Sequence, residues 1–245
     1  MSEETPKPKL SEVAERLYKL FHGNQRSVGQ FNPDSGKVHT LDRAPVVADF
    51  VAHLKGAVGV GVVPIYDDAT CSWAALDIDN HGETTDIPII PLEAKVVALG
   101  LPLVLCRSKS GGIHAYAFFA EPMPTTRVRA LMAEWSKKLG HEGCEVFPKQ
   151  SKLHRQASGA LSLGNWINLP YMGGRETIRY AVNAGQKIDL LEFLDLADSR
   201  KSTPKSLTQM VTSQYTNCPP CISHIMAGVA TEGNRNEALF NTTVY

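Results

Sequence analysis

The sequence contains no apolar run that approaches the about 20 residues of a membrane-spanning helix, which excludes a transmembrane protein and a membrane partner. Cysteine is scarce, with five irregularly spaced residues among 245, so a disulfide-stabilised secreted scaffold is excluded and a reducing, cytoplasmic location is expected. No hydrophobic segment follows the charged N-terminus, so we expect no secretory signal. Net charge is also absent, because 25 basic residues balance 25 acidic residues. The total charge therefore does not indicate a polyanionic partner.

What the sequence does contain is enough apolar material for a core. Its hydrophobic content of 43% and charged content of 20% exclude a wholly disordered chain, and its length fits one large domain or one domain plus a fragment. Charge is unevenly distributed, because eleven basic and five acidic residues lie between Arg107 and Arg179. A basic middle beside an acidic flank fits a polyanion-binding face close to a metal-binding one.

Apolar spacing predicts an α+β fold built on an antiparallel sheet flanked by helices. Helical spacing covers residues 11–21, 42–54, 92–99, 125–139 and 190–197, the second helix beginning at Asp42. Strand patterns cover residues 27–31, 37–40, 59–65, 72–79, 103–107, 113–119, 144–147, 166–169 and 177–182. Short polar turns predict three hairpins, which join 27–31 to 37–40, 59–65 to 72–79, and 103–107 to 113–119.

The domain organisation is predicted from composition. We expect residues 1–10 to be a disordered lead-in, residues 11–198 to form the main domain and residues 199–206 to be a linker. Residues 207–245 are too few for an independent domain and have the pattern of a short helical segment that is cut short. In this segment Cys218 and Cys221 provide half of a zinc site or are simply two reduced cysteines, since two more ligands are needed and only His224 is near.

Two aspartates on one predicted strand are the most specific chemical feature. Alternate side chains of a strand share a face, so Asp77 and Asp79 point together, about 6–7 Å apart, away from the apolar residues around them. Two such carboxylates repel each other in a half-buried setting unless a cation neutralises them, and their hard oxygens suit Mg²⁺ or Mn²⁺. A strand end that emerges into solvent explains the same pattern without a metal.

The third predicted hairpin has a loop with the chemistry of a phosphate cradle. Residues 107–112 combine two glycines, two hydroxyl groups and two cations, which provide free backbone N–H groups, short donors and positive charge. A histidine at the exit of the loop is placed to donate to a triphosphate oxygen. The candidate phosphate ligands are Arg107, Ser108, Lys109, Ser110 and His114. The alternative is a polar hairpin turn with a histidine satisfied inside the sheet.

A later acidic residue, Glu145, lies on a short predicted strand and faces away from its apolar neighbours. It would complete a carboxylate cluster with the two aspartates, with Lys149 just beyond the strand end. The alternative is an ordinary surface glutamate. Trp166 and Tyr171 are candidates for stacking on bases, although each is also typical of a core or rim position.

These features, in this order, resemble the archaeo-eukaryotic primase superfamily, and in particular the primase-polymerases of phages, plasmids and mobile elements. The signature of that family is an acidic pair on a strand, a small-x-His strand after a Ser/Gly loop, and a later acidic strand residue. In this sequence they are Asp77-Ile78-Asp79, Gly112-Ile113-His114 and Glu145. Residues 61–64, 147–150 and 164–170 also resemble stretches of these primase-polymerase domains. Residues 219–240 resemble the helical module that follows such catalytic domains.

The resemblance implies a catalytic core with an RRM-like sheet that adds nucleotides on a single-stranded DNA template and often begins the primer itself. Its substrates would be NTPs or dNTPs, and its partners the template, the primer and a helicase domain or protein, in a bacterial or phage-infected cell. The residues carried over are Asp77, Asp79 and Glu145 for two Mg²⁺ or Mn²⁺ ions, and His114, Ser110, Lys109, Ser108, Arg107 and Lys149 for the triphosphate. Many relatives have aspartate where this chain has Glu145.

Two other functions use the same residues. A metal-dependent nuclease would need the carboxylates but no triphosphate cradle, so the loop 108–112 favours the polymerase. A non-catalytic nucleic-acid-binding module would need neither. The polymerase hypothesis requires His114 and Glu145 to lie beside the aspartate pair in the folded chain. The preference between NTP and dNTP is left open by the sequence.

Overall fold

The fold is known from a computed structural model that describes residues 8–80, 85–157 and 159–207. The chain divides into two compact units, Met1–Lys201 and Ser202–Tyr245. Of the second unit only residues 202–207 are described. They begin a helical turn in which Ser206 N–H donates to Thr203 Oγ1 at 3.1 Å. The predicted segment 207–245, including Cys218 and Cys221, and the first part of the predicted lead-in lie almost wholly outside the described residues.

Five α-helices are present in the described part of the first unit, and they are α1 (Leu10–Leu20), α2 (Val47–Leu54), α3 (Ile89–Ala98), α4 (Thr125–Leu139) and α5 (Leu190–Ser199). The second begins five residues later than predicted. Its first turn is closed by Asp49, whose carboxylate accepts from Val46 N–H at 2.9 Å and from Arg43 at 2.7 and 2.8 Å, so Asp42 is not the cap. None of these helices is long and apolar enough to cross a bilayer.

The described residues form ten strands, which are β1 (Val28–Phe31), β2 (Val38–Leu41), β3 (Gly59–Val62), β4 (Thr70–Ile78), β5 (Leu103–Arg107), β6 (Ile113–Pro124), β7 (Glu145–Phe147), β8 (Ile167–Asn168), β9 (Val182–Asn183) and β10 (Gln186–Lys187). They form an N-terminal sheet of order β2-β1-β3-β8, a central sheet of order β5-β6-β4-β7, and a small β9–β10 hairpin. All of the strand pairs are antiparallel.

The hairpin predicted between residues 59–65 and 72–79 is wrong, because β3 and β4 belong to different sheets. The chain leaves the N-terminal sheet at Pro64, which has no N–H for a ladder. The departing segment is held instead by Asn24, whose N–H donates to Val63 O at 2.8 Å and whose side chain donates to Ile65 O at 3.1 Å. The other two predicted hairpins are present as β1–β2 and β5–β6.

The central sheet has the β-α-β-β-α-β topology of ferredoxin-like and RRM domains. Along the chain the order is β4, α3, β5, β6, α4 and β7, and β4 and β6 are the two inner strands. This arrangement confirms the predicted α+β fold with an RRM-like antiparallel sheet flanked by helices.

One face of the central sheet is packed by an aromatic cluster. Phe21, just after α1, makes edge-to-face contacts with Trp73, Tyr116 and Phe118 at ring-centroid distances of 5.1, 5.1 and 5.5 Å. Such contacts add to the burial energy of large rings and fix their orientation. The opposite face is covered by α3 and α4. The inner strands are therefore held rigidly on both sides up to the ends at which the predicted site residues lie.

Candidate active site

Three of the predicted site residues form one row across the central sheet. Asp77 on β4 is directly opposite His114 on β6 and also directly opposite Glu145 on β7. Directly opposed residues of an antiparallel pair share a face, and their Cβ atoms lie about 4.5–5.5 Å apart. The strand register therefore places Asp77 and Glu145, which are 68 positions apart in the sequence, side by side. The row lies on the face that carries the aromatic cluster, at the end of that cluster.

A chain of polar contacts runs from Asp77 into the protein. His114 Nε2 lies 3.2 Å from Asp77 Oδ1, and His114 Nδ1 lies 2.9 Å from the Tyr116 hydroxyl. That hydroxyl donates to Asn168 O at 3.1 Å. Asp77 and the Tyr116 hydroxyl thus contact the two ring nitrogens of His114, one on each side of the ring.

The surroundings keep this chain fixed. The side chains of Asp77 and His114 are only 18% and 11% exposed. Burial raises the pKa of Tyr116 well above its ordinary value, so the residue stays a neutral hydroxyl. The histidine is thus held between a carboxylate and a phenol, with its ring orientation determined by both.

Glu145 is paired differently. Its carboxylate contacts Lys149 Nζ at 2.6 Å, and that ammonium group lies 5.0 Å from the centre of the Phe147 ring. The Glu145 side chain is 49% exposed, so this pair lies at the edge of the site. Lys149 is therefore next to the carboxylate row, as the sequence predicts, and it contacts an acidic residue.

Asp79 lies one residue beyond the end of β4, in an exposed position. Among the residues that the structure describes, no three His, Cys, Asp or Glu side chains are close enough together to hold a metal ion. The donor set itself fits Mg²⁺ or Mn²⁺, because carboxylate oxygens are the ligands that these ions prefer. Like charges directly opposite each other destabilise a strand pair, and the side chains that relieve this between Asp77 and Glu145 are His114 and Lys149.

The β5–β6 loop packs against the end of β4 through two glycines. A Cβ atom at Gly111 would clash with Asp86 Oδ1, and one at Gly112 would clash with Ile78 O. Gly111 also has a φ of +80°, which side chains with a Cβ rarely adopt. Both glycines are therefore required for this loop conformation, beside the row of Asp77 and His114.

Arg107 lies under this loop and is 8% exposed. Its Nη1 donates to Ile87 O and to Gly111 O, each at 2.7 Å, so the guanidinium group ties the loop to the segment before α3. Ser108 is buried, and its hydroxyl oxygen lies 3.4 Å from that of Ser110, which is exposed. Lys109 points to the N-terminal sheet, where its Nζ lies 3.8 Å above the Phe31 ring. Arg107 is thus occupied by hydrogen bonds within the loop, while Lys109 is held against the Phe31 ring.

Arg179 is a candidate residue that the sequence motifs missed. It is 5% exposed, its guanidinium carbon lies 5.6 Å from the centre of the Phe31 ring, and its Nη1 has no hydrogen-bond partner in the described part of the chain. Burial lowers its pKa below the ordinary 12.5. A buried cation without a partner is costly, and an anion is what it lacks.

The position of Arg179 follows from the segment around it. Arg107 N–H donates to Tyr180 O at 2.8 Å and Cys106 bridges Ala181, so residues 179–181 lie along the outer side of β5. The one sequence signal was an arginine in an otherwise alternating apolar stretch. Tyr171, a candidate for base stacking, is buried, and its hydroxyl donates to Ile188 O at 2.9 Å, so it belongs to the core.

Comparisons with known proteins give a family and several distant structural matches. Residues 36–194 match the family "TOTE conflict system, Archaeo-Eukaryotic Primase domain". The AEP domain of the cyanophage S-2L primase-polymerase is 14% identical, with coverage of 76% of this chain and 97% of that chain and a TM-score of 0.38. The primase RepB′ is 11% identical, with coverage of 89% and 80% and a TM-score of 0.39.

The catalytic domain of RepB′, in complex with initiator DNA, is 12% identical, with coverage of 86% of this chain and 100% of that chain and a TM-score of 0.33. No curated protein sequence matches the chain. The family match spans more than half of the chain and contains Asp77, His114 and Glu145. The superfamily to which the motifs pointed is confirmed, and the chain belongs to the archaeo-eukaryotic primase domain family of TOTE conflict systems.

Proposed function

We propose that this chain is a primase-polymerase that adds nucleotides from NTPs or dNTPs to a strand paired with a single-stranded DNA template. The observation that carries the proposal is the cross-strand row of Asp77, His114 and Glu145 on an RRM-like sheet, beside a glycine-containing loop. Carboxylates, a cationic donor and free backbone groups on one face are the parts that nucleotidyl transfer requires.

The triphosphate is proposed to bind between the loop and Arg179. His114 offers an N–H that now contacts Asp77, Ser110 offers an exposed hydroxyl, and Arg179 offers a guanidinium nitrogen without a partner. Negative charge grows on the leaving pyrophosphate during transfer, and fixed donors in a partly buried site stabilise that charge. We assign Arg107 to positioning of the loop, and Ser108 and Lys109 to supporting phosphate contacts.

The divalent ions of this reaction are proposed to bind to Asp77, Asp79 and Glu145. When bound, two such ions lower the pKa of the attacking 3′-hydroxyl and neutralise charge on the triphosphate. The protein residues prepare this site, because contacts with His114 and Lys149 hold the Asp77 and Glu145 side chains at fixed places on adjacent strands. The glutamate reaches one methylene further than the aspartate found in many relatives.

The test is incorporation of labelled nucleotides with Mn²⁺ or Mg²⁺ on a primed and an unprimed single-stranded DNA template. Asp77→Asn and Glu145→Gln keep the size of each side chain and remove its charge, and each should reduce incorporation on the order of 1000-fold. The matched controls are Asp195→Asn and Glu142→Gln, which change exposed acids that pair with Arg16 and Lys137. Both controls should retain wild-type incorporation.

Other outcomes identify the alternatives. Shortening of labelled DNA without any triphosphate would indicate a metal-dependent nuclease. Binding of DNA with no chemistry that depends on Asp77 would indicate a non-catalytic module. A helicase partner and a role in the replication of a mobile element remain predictions, and the conflict-system family is compatible with the second of them. The choice between NTP and dNTP stays open.

A further inference from the structure

The N-terminal sheet has a face built from glycines. Gly29 on β1 is directly opposite both Thr40 on β2 and Gly61 on β3, and Gly61 is directly opposite Asn168 on β8. These residues share one face, while the other face carries apolar side chains such as Val60 that belong to the core. Two adjacent strands thus have no side chain at the same level, and the face is flat there.

The indole ring of Trp166 lies flat on this glycine face, which forms a floor beneath the ring. A Cβ atom at Gly29 or at Gly61 would clash with the atoms of its indole ring, so the ring is in direct contact with both glycine backbones. The indole Nε1–H donates to Thr40 Oγ1 at 3.0 Å, which fixes the rotation of the ring within its plane. Trp166 is partly exposed, and no described aromatic ring or cation stacks on it. The ring is therefore fixed from below and at its edge.

The floor continues into the candidate active site. Two residues after Trp166, Asn168 accepts the hydrogen bond of the Tyr116 hydroxyl that also contacts His114. Two residues of a strand span about 6.6 Å, which is close to one nucleotide step of an extended single strand. Phe31, on the same face of β1 as Gly29, lies under Lys109 and Arg179. Trp166 is thus about one nucleotide step from Asn168, which is joined to the row of Asp77 and His114 through the Tyr116 hydroxyl.

The chain segment that carries the indole is basic. Residues 146–175, which include Trp166, contain no acidic residue. Leu153 packs in the same small apolar cluster as Trp166, and the exposed Lys152 and Arg155 flank it in the sequence. An aromatic surface bordered by cations fits a nucleobase attached to phosphates, since the base can stack while the backbone neutralises the charge.

We propose that Trp166 is the stacking platform for one base of the single-stranded DNA template, next to the position at which a nucleotide is added. The stacking rests on the geometry alone, and the identification of the strand as a template rests on the proposed function. A base above the indole would be held without hydrogen bonds to its edge, so every template sequence would be accepted.

The test measures tryptophan fluorescence during titration with a short oligo-dT, with a chelator present and no triphosphate, so that no catalysis is needed. The other two tryptophans, Trp73 and Trp135, are at most 2% exposed, so quenching by a stacked base reports on Trp166. We expect quenching by oligo-dT and no quenching by an abasic oligonucleotide of the same length, which should bind about tenfold more weakly. Equal affinity for the two oligonucleotides, without quenching, would overturn the proposal whether or not the protein incorporates nucleotides.

Two variants separate stacking from simple filling of the space above the glycines. Trp166→Phe and Trp166→Leu both cover the floor, but only phenylalanine offers a ring. We expect similar melting temperatures, an affinity for oligo-dT that falls about tenfold in the leucine variant and less in the phenylalanine variant, and an unchanged salt dependence in both. Equal affinity in all three proteins contradicts the proposal. Quenching of the wild type by dTTP alone would instead assign the ring to the incoming nucleotide and overturn the template assignment.

Discussion

The central sheet and the N-terminal sheet differ in the length of their strands and in what their faces carry. The inner strands of the central sheet, β4 and β6, have 9 and 12 residues and pack large aromatic side chains around Phe21. The strands of the N-terminal sheet have at most four residues, and three of its residues on one face are Gly29, Gly59 and Gly61.

This difference follows from what each sheet has to position. The charged row on the central sheet must keep its spacing to within fractions of an ångström, and strands that are packed on both faces provide this. The glycine-rich face of the N-terminal sheet instead creates room close to the backbone. The central sheet positions charged side chains, whereas the N-terminal sheet provides a flat surface without side chains. The proposed site lies between the two sheets, where they are connected by Lys109, Arg179 and Tyr116.

The largest expected effect is a loss of stability in acid, which begins at the N-terminal sheet because His53 becomes protonated. This buried residue on α2 donates from Nε2 to Pro170 O at 2.8 Å and accepts from Val60 N–H at 3.0 Å, and burial lowers its pKa from 6.5 to about 4. At a pH between these two pKa values, the unfolded chain binds more protons than the folded chain. Stability is therefore complete above pH 6.5 and decreases by about 3 kcal/mol as the pH falls to 4.

Denaturant titrations between pH 7 and pH 4.5, together with amide exchange at Val60 and Tyr116, check this expectation. The Val60 amide should lose protection at a higher pH than that of Tyr116. His53→Gln should flatten the pH dependence of stability, while the exposed His39→Gln should not. If the stability of His53→Gln depends on pH as steeply as that of the wild type, His53 is not the group that makes the N-terminal sheet sensitive to acid.

The next effect concerns Arg179, between the two sheets. Arg179→Met removes a buried cation that lacks a partner, so the free energy of unfolding should increase by about 1 kcal/mol. The same change should raise the KM for the nucleotide about 10- to 100-fold, since a charged hydrogen bond to phosphate is lost. Thermal unfolding and steady-state incorporation measure the two effects. Arg175→Met, at an exposed position, serves as the control, and a fall in stability with an unchanged KM would contradict the assignment.

The smallest effect is expected at the hydroxyl that joins the sheets. Tyr116→Phe keeps the ring in the aromatic cluster but leaves His114 Nδ1 and Asn168 O without this partner, which should cost about 1 kcal/mol. Incorporation should fall a few-fold, because His114 loses one of its two supports. Tyr18→Phe, which also keeps a ring contact, is the control. Unchanged incorporation by Tyr116→Phe would show that the hydroxyl has no part in positioning the histidine.

The chemical residues could be predicted because alternation along a strand is a local property. It placed Asp77 and Asp79 on a polar face, and the motif order then identified His114 and Glu145. The register that puts Asp77 opposite both of these residues depends on β6 and β7 flanking β4, which no local pattern encodes. The structure places Asp77 opposite His114 and Glu145, with Asp79 beyond the strand end, and the roles of all four residues stay predictions.

The wrong predictions arise because a local pattern does not determine which elements pair in the folded chain. A polar turn between two apolar runs is the local signal both of a hairpin and of a crossing between sheets, so β3 and β4 were predicted to pair. Asp42 resembles a helix cap, but the tertiary pairing of Arg43 with Asp49 moved the first turn. Arg179 belongs to no motif, and its place is decided by the alignment of residues 179–181 with β5.

The pairing of Asp77 with His114 and of Glu145 with Lys149 has a consequence for how the protein is assembled. Each acid brings its own base from within the chain, so the strands can associate without any inorganic cation to relieve their repulsion. Formation of this row therefore does not depend on the divalent ions proposed for the reaction.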